Sequence, residues 1–175
     1  VYERPFVDMI FTDPPYGVSK DDPYDIPSEF FDGIELLERT LCTLGWFILY
    51  YSVKYLDKLF IELHNRAKHL KYYYLIPCLV SGTVSKSALG DRKFIILVVY
   101  YKSDKQGKKP KIVFRGYDVY PVDEVPTIRF KIRKALFKPT LTTQYGLRMF
   151  AESGDLILDP FAGYGSIPYS IEVFN

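Results

Sequence analysis

The sequence predicts an α/β fold, with a mostly parallel twisted sheet and helices on both faces. Short apolar runs alternate with stretches whose apolar residues recur at helical spacing, which is how strand–helix–strand units read. Two turn-rich motifs, Asp13-Pro14-Pro15-Tyr16 and Asp159-Pro160-Phe161-Ala162-Gly163-Tyr164-Gly165, each follow an apolar run. Ligands of open α/β sheets sit beyond the C-terminal ends of strands, so both motifs fall where such a fold places its chemistry.

Taken in order, Phe6 to Thr12 reads as a buried strand closed by Asp-Pro-Pro. Val18 to Pro27 is polar and turn-rich, a mobile loop. Ser28 to Leu44 reads as a helix with Ser28 as N-cap and Phe30, Ile34, Leu37 and Leu41 on one face. Trp46 to Ser52 is a second strand, and Val53 to Lys68 a helix turning Leu56, Leu59, Phe60 and Leu63 inward. Tyr72 to Val80 is a strand interrupted by Pro77, and Phe94 to Tyr101 a further strand. Ile112-Val113-Phe114 and Tyr117 to Tyr120 suggest a small hairpin. Leu141 to Ala151 is a helix stopped by Ser153-Gly154. Leu156 to Leu158 is the last strand, and Ser166 opens the last helix.

The 175 residues fit a single domain, and 48% hydrophobic residues supply a sizeable core. With 16 Tyr and 13 Phe, much of that core packs ring against ring. The longest apolar runs fall short of the roughly 18 residues a bilayer span needs. No basic-then-apolar leader is seen, so a soluble cytoplasmic protein is expected. Cys42 and Cys78 show no metal-ligand spacing and read as a buried, reduced pair. The net charge of +2 hides an asymmetry. Residues 1–60 hold 5 Lys+Arg against 11 Asp+Glu, whereas residues 102–138 hold 11 against 4. That basic stretch, with Lys108, Lys109, Arg133 and Lys134, has the density of a phosphate-contacting surface; a solvated face is the plainer alternative.

The glycine motif lets backbone pass close to a nucleoside. A Cβ would push the ligand away, and such turns often need positive φ. It is not G-x-G-x-x-G, which disfavours NAD. The Asp13 motif has its own rationale. An aromatic amine is a poor nucleophile because its lone pair is delocalised into the ring. Two acceptors aimed at its hydrogens, the Asp13 carboxylate and the Pro14 carbonyl held rigid by Pro15, turn that lone pair out of plane. They also stabilise the positive charge that develops on nitrogen. Tyr16 offers a face on which the target base can stack, once that base has left the duplex.

These residues resemble the S-adenosylmethionine-dependent amino-methyltransferases of DNA, which make N6-methyladenine or N4-methylcytosine. With the target motif first and the cofactor motif last, the order is that of the permuted beta class, found in restriction-modification systems and as orphan enzymes. The resemblance covers most of the chain and includes Thr12 before Asp13. It implies a Rossmann-like, seven-stranded sheet whose last strand, here Phe94 to Tyr101, is antiparallel. It implies S-adenosyl-L-methionine at Asp13, Asp159, Phe161, Gly163 and Gly165, with Lys138-Pro139 opening the helix beside it. It further implies duplex DNA with a flipped base as substrate, adenine N6 being favoured because Asp opens the motif. The region from 102 to 138 stands where the class carries its variable DNA-reading insert. Tyr164 stands where the family has a small residue, which predicts a crowded pocket. Glu172 falls too early, on a helix, for the family's ribose-binding acid. The chain begins with Val1 and stops ten residues after Gly165, so trimming at one or both ends is expected. Three other readings remain open: cytosine N4 methylation, RNA base methylation by a permuted relative, and a non-catalytic nucleic-acid-binding remnant. The oligomeric state, a homodimer included, is also open.

Overall fold

The structure, a computed structural model, describes residues 5–17, 26–80, 85–87, 89–124 and 140–174. Most of the polar loop after Gly17, and Arg133, Lys134, Lys138 and Pro139, lie outside the described residues.

The chain runs β1 (Val7–Thr12), α1 (Pro27–Thr40), β2 (Leu41–Tyr51), a 3-10 turn (Val53–Tyr55), α2 (Leu56–Arg66) and β3 (Leu70–Val80). A hairpin of β4 (Ser85–Ser87) and β5 (Gly90–Arg92) precedes β6 (Phe94–Lys102) and β7 (Tyr120–Glu124). α3 (Thr140–Phe150), β8 (Ile157–Leu158) and α4 (Ser166–Glu172) follow. Six strands form one sheet in the order β7-β3-β6-β2-β1-β8, and the hairpin forms a separate two-stranded sheet. β1 pairs parallel with β2 and β8, and β3 with β7. β6 is antiparallel to both neighbours, as expected of the Phe94 strand. The sheet has six strands among the described residues, where seven were expected.

β2 is buried on both sides. Phe47, Leu49 and Tyr51 join Val7, Ile10, Ile96 and Val98 under α1 and α2. Trp46, Ile48 and Tyr50 join Met9, Phe11, Leu97 and Val99 under α3 and α4. This is why β2 reads as a continuous apolar run rather than an alternating one. Gly146 lets α3 approach closely, because a Cβ there would lie 3.0 Å from the Phe11 ring.

Several boundaries differ from expectation. α1 starts at Pro27, not after a Ser28 cap, because proline suits the first helical position and lacks the N–H left unpaired there. It ends at Thr40, and Leu41 to Leu44 are strand, with the Leu41 N–H donating to the Leu37 carbonyl as the chain extends. Leu41 is apolar and buried, so it satisfied the helical pattern while belonging to the sheet. β1 pairs Val7 with Leu41 but Met9 with Trp46, so Cys42 to Gly45 bulge out of register, with Leu44 at φ 65°. Pro77 does not interrupt β3 and stands opposite Ile96. The expected hairpin around Ile112 does not form. The Val113 N–H instead docks on the Met149 carbonyl at 2.9 Å, and Tyr120–Glu124 pairs with the free side of β3. Cys42 is half-buried rather than buried, and neither cysteine is in a disulfide. Among the described residues, no helix is long and apolar enough to cross a membrane.

One cation fastens the end of the sheet opposite the motifs. Lys102 Nζ donates to the carbonyls of Glu38 (2.6 Å) and Leu41 (2.7 Å), closing the C-terminus of α1. Burial pulls the Lys102 ammonium below its usual pKa, and the Glu38 carboxylate opposes this. Glu38 Oε1 accepts the backbone N–H of Leu70 at 3.0 Å, tying α1 to the start of β3. Lys102→Met keeps the apolar stem but leaves both carbonyls without that donor. It should cost about 2 kcal/mol and lower Tm by about 4–8 °C. An unchanged melting curve would show that water replaces the ammonium without loss.

Candidate active site

β1 and β8 lie side by side and parallel, so their C-terminal ends open onto the same edge of the sheet. Asp13 leaves one strand and Asp159 the other, which brings the two sequence motifs together. The link is direct. Thr12, fully buried, donates its hydroxyl to Asp159 Oδ1 at 2.7 Å. The Phe161 N–H donates to the same oxygen at 3.2 Å, folding the glycine turn back over its strand.

Asp159 Oδ2 is buried and has no hydrogen-bond partner. A carboxylate oxygen so placed is costly, because buried polar groups are nearly always paired. Burial pushes the Asp159 carboxyl up to about 6. The Thr12 and Phe161 hydrogen bonds pull it down, and the nearby Asp13 charge adds to the rise.

On the other motif, the Tyr16 hydroxyl donates to Asp13 Oδ1. The Tyr16 ring meets Tyr51 edge-on at 5.2 Å and 71°. Pro14 is buried, while Asp13, Pro15 and Tyr16 are half-buried, so the motif lies at the surface of the core. Phe161 packs edge-on against Phe30 of α1 at 5.9 Å.

Gly163 (φ 52°) and Gly165 (φ 78°) are both left-handed, and Gly165 caps α4. A Cβ on Gly163 would meet only the Phe161 carbonyl oxygen, at 3.9 Å, and one on Gly165 would meet nothing within 4 Å. The turn therefore leaves open space beside its backbone. Tyr164 is 46% exposed, turned toward solvent. Glu172 is exposed near the end of α4.

Lys108 and Lys109 are not part of this arrangement. They are exposed and line a cavity of about 560 Å³ with Asp8, Gly45, Trp46 and Asp155. Asp8 lies at the start of β1, about 16 Å of strand from Asp13. Sequence reasoning gave no role to three groups in the site: the Thr12 hydroxyl, the Tyr16 hydroxyl and the Tyr51 ring. A lone threonine closing a strand that is apolar but for the exposed Asp8 was the available signal for the first.

No protein-family model matches this chain, and no curated protein sequence matches it. Solved structures do. The M1.HpyAVI–SAM complex superposes with a TM-score of 0.69 at 16% identity, covering 97% of this chain and 78% of that one. PvuII DNA methyltransferase (cytosine-N4-specific) gives 0.67 at 15% identity, covering 99% and 73%. A candidate DNA modification methylase from Thermus thermophilus, complexed with S-adenosyl-L-methionine, gives 0.59 at 17%, covering 96% and 77%. The chain thus has the Rossmann-like fold of S-adenosylmethionine-dependent methyltransferases, a mixed sheet covered by helices.

A carboxyl whose pKa is higher folded than unfolded favours folding at low pH. That contribution is fully present below about 3.8, the unfolded value, and is lost as pH rises toward about 6. Asp159→Asn should remove this loss. The variant's Tm should vary less than wild type between pH 4 and 6, and should exceed it at pH 7.5. Parallel Tm–pH profiles would refute the buried, unpaired state of Asp159.

Proposed function

We propose that this protein is an S-adenosyl-L-methionine-dependent methyltransferase acting on an exocyclic base amine in DNA. The observation that carries this reading is the Thr12–Asp159 hydrogen bond. It holds an amine-accepting motif and an open glycine turn at neighbouring strand ends. The residues present fit the cofactor. The unpartnered Asp159 Oδ2 invites a cationic or N–H donor, and the space beside Gly163 and Gly165 suits a nucleoside. Asp159, Phe161, Gly163, Gly165 and Asp13 would hold S-adenosyl-L-methionine, which supplies an electrophilic sulfonium methyl when bound. Lys138 and Pro139 are proposed beside it from the sequence alone.

The chain's own groups then do three things. Asp13 and the Pro14 carbonyl accept the two amine hydrogens and turn the lone pair toward the methyl. Asp13 balances the positive charge growing on nitrogen as it attacks. Tyr16 stacks on the base, and its hydroxyl, bonded to Asp13, fixes the angle of the carboxylate. Adenine N6 is the favoured target because Asp opens the motif. Cytosine N4 is the second reading, since a cytosine-N4-specific enzyme superposes nearly as well as M1.HpyAVI. The DNA lies across the end of the sheet that carries Asp13. Arg133 and Lys134 remain proposed phosphate contacts. Lys108 and Lys109, at the other end, add long-range attraction.

Gly163→Val places a β-branched side chain at positive φ and fills the space beside the turn. It should abolish S-adenosyl-L-methionine binding by calorimetry while the protein stays folded by circular dichroism. Unchanged affinity would remove the cofactor from this turn.

Asp13→Ala should lower methyl transfer ~10²–10³-fold and leave DNA affinity within a few-fold, because Asp13 matters most at the transition state. Tyr16→Ala should impair both binding and turnover, and Tyr16→Phe turnover alone and less severely. Mass spectrometry of nucleosides from treated DNA reads the product as N6-methyladenine or N4-methylcytosine. Normal turnover by Asp13→Ala would overturn the mechanism for either base.

A further inference from the structure

The β4–β5 hairpin takes no part in the site described above. It joins β3 to β6, and its position follows from their pairing. Leu79 stands opposite Phe94, Ile96 opposite Tyr51, and Leu49 opposite both Val98 and Thr12. The start of β6 is therefore at the end of the sheet that carries Asp13. β6 is separated from β1 only by β2, about 10 Å across the sheet. From Ile96 to Leu89 is at most about 23 Å of extended chain. The hairpin thus springs from the rim of the active site and is long enough to reach a duplex lying across it.

Its tip is unusual in chemistry. Ser87 pairs with Gly90, whose φ of 114° suits a tight reversal, and Leu89 lies in the turn between them. Leu89 is 101% exposed, more than any other large apolar side chain among the described residues. Leucines scattered over helix faces are ordinary, but here the backbone itself holds an aliphatic group out into water. The hairpin forms its own two-stranded sheet, and Leu89 belongs to neither core cluster. Residues 85–93 carry Lys86, Arg92 and Lys93 against Asp91 alone, and Lys93 is exposed. An apolar tip on a cationic stem is the combination that enters duplex DNA, with the cations on phosphates and the wedge between base steps.

We infer that Leu89 is a wedge that enters the duplex beside the target base and opens the stack, so that the base can leave for the Asp13–Tyr16 pocket. This rests on DNA being the substrate, and it adds a residue for base extrusion distinct from those for methyl transfer. Extrusion costs a few kcal/mol of stacking and pairing, and an inserted side chain offsets part of that cost by filling the space left behind. No bond is made or broken in this step.

The test does not require knowing the recognition sequence. A closed-circular plasmid is relaxed by a topoisomerase in the presence of the full chain, and the change in linking number per bound protein is measured. Wild type should unwind the plasmid. Leu89→Ala should bind it comparably in a gel-shift assay but unwind it at least threefold less. Leu89→Met and Leu89→Phe should retain most of the effect, since any apolar wedge serves. Equal unwinding by Leu89→Ala and wild type, or no unwinding by wild type, would overturn the wedge. The methylation reading is decided separately, by nucleoside mass spectrometry on the same plasmid. Unwinding without methylated product would keep the wedge and overturn that reading.

Discussion

The site depends on one hydrogen bond between two strand ends, from the Thr12 hydroxyl to Asp159. β8 is only two residues long and stands at the sheet edge, so little besides its pairing with β1 fixes where the following turn goes. The threonine supplies that constraint. It is fully buried, so its donor has no competing water, and it precedes Asp13 in the chain. Any shift of Asp159 is thus transmitted to the residue beside the amine acceptor. The other Asp159 oxygen is left without a partner, so the protein holds part of the site in an unfavourable state that a bound donor would relieve.

The packing around this link is aromatic where it needs to be stiff. Tyr51 braces Tyr16 and Phe30 braces Phe161, both edge-on. Each motif thus has one ring resting on the core beneath α1 and α2. Rings have few rotamers, so these contacts set position at small entropic cost.

Much of this was legible in the sequence because strand ends were marked by residues with no other use. Pro14 and Pro15 cannot continue a strand, and Gly163 and Gly165 occupy backbone that other residues avoid. Those signals placed both motifs; the antiparallel direction of β6 came from the family resemblance alone. Boundaries set by tertiary contact were not legible. Leu41 fits a helical stripe as well as a strand, and only its pairing with Val7 decides between them. Val113 and Tyr120 looked like two halves of a hairpin, but α3 and β3 offered each a better partner. The Lys108 and Lys109 charges were visible, but which end of the sheet they occupy depends on the path of the chain after β6. The hairpin at Leu89 lacked the period-2 apolar pattern by which a strand is read.

β2 carries a further consequence. From Trp46 to Tyr51 every side chain is buried, so no polar alternation tells the strand which way to face. A slip of one residue would exchange its two faces. The two faces differ in shape: Trp46, Ile48 and Tyr50 on one side, Phe47, Leu49 and Tyr51 on the other. The indole of Trp46 fits against Phe150 with ring centres 4.6 Å apart, and the Tyr50 hydroxyl meets Thr143 at 2.8 Å inside the core. A strand slipped by one residue toward its C-terminus would put Gly45 at the indole's place and Leu49 at the phenol's, leaving the Thr143 hydroxyl without that partner. In a strand that water cannot orient, side-chain volume and one internal hydroxyl pair set the alignment.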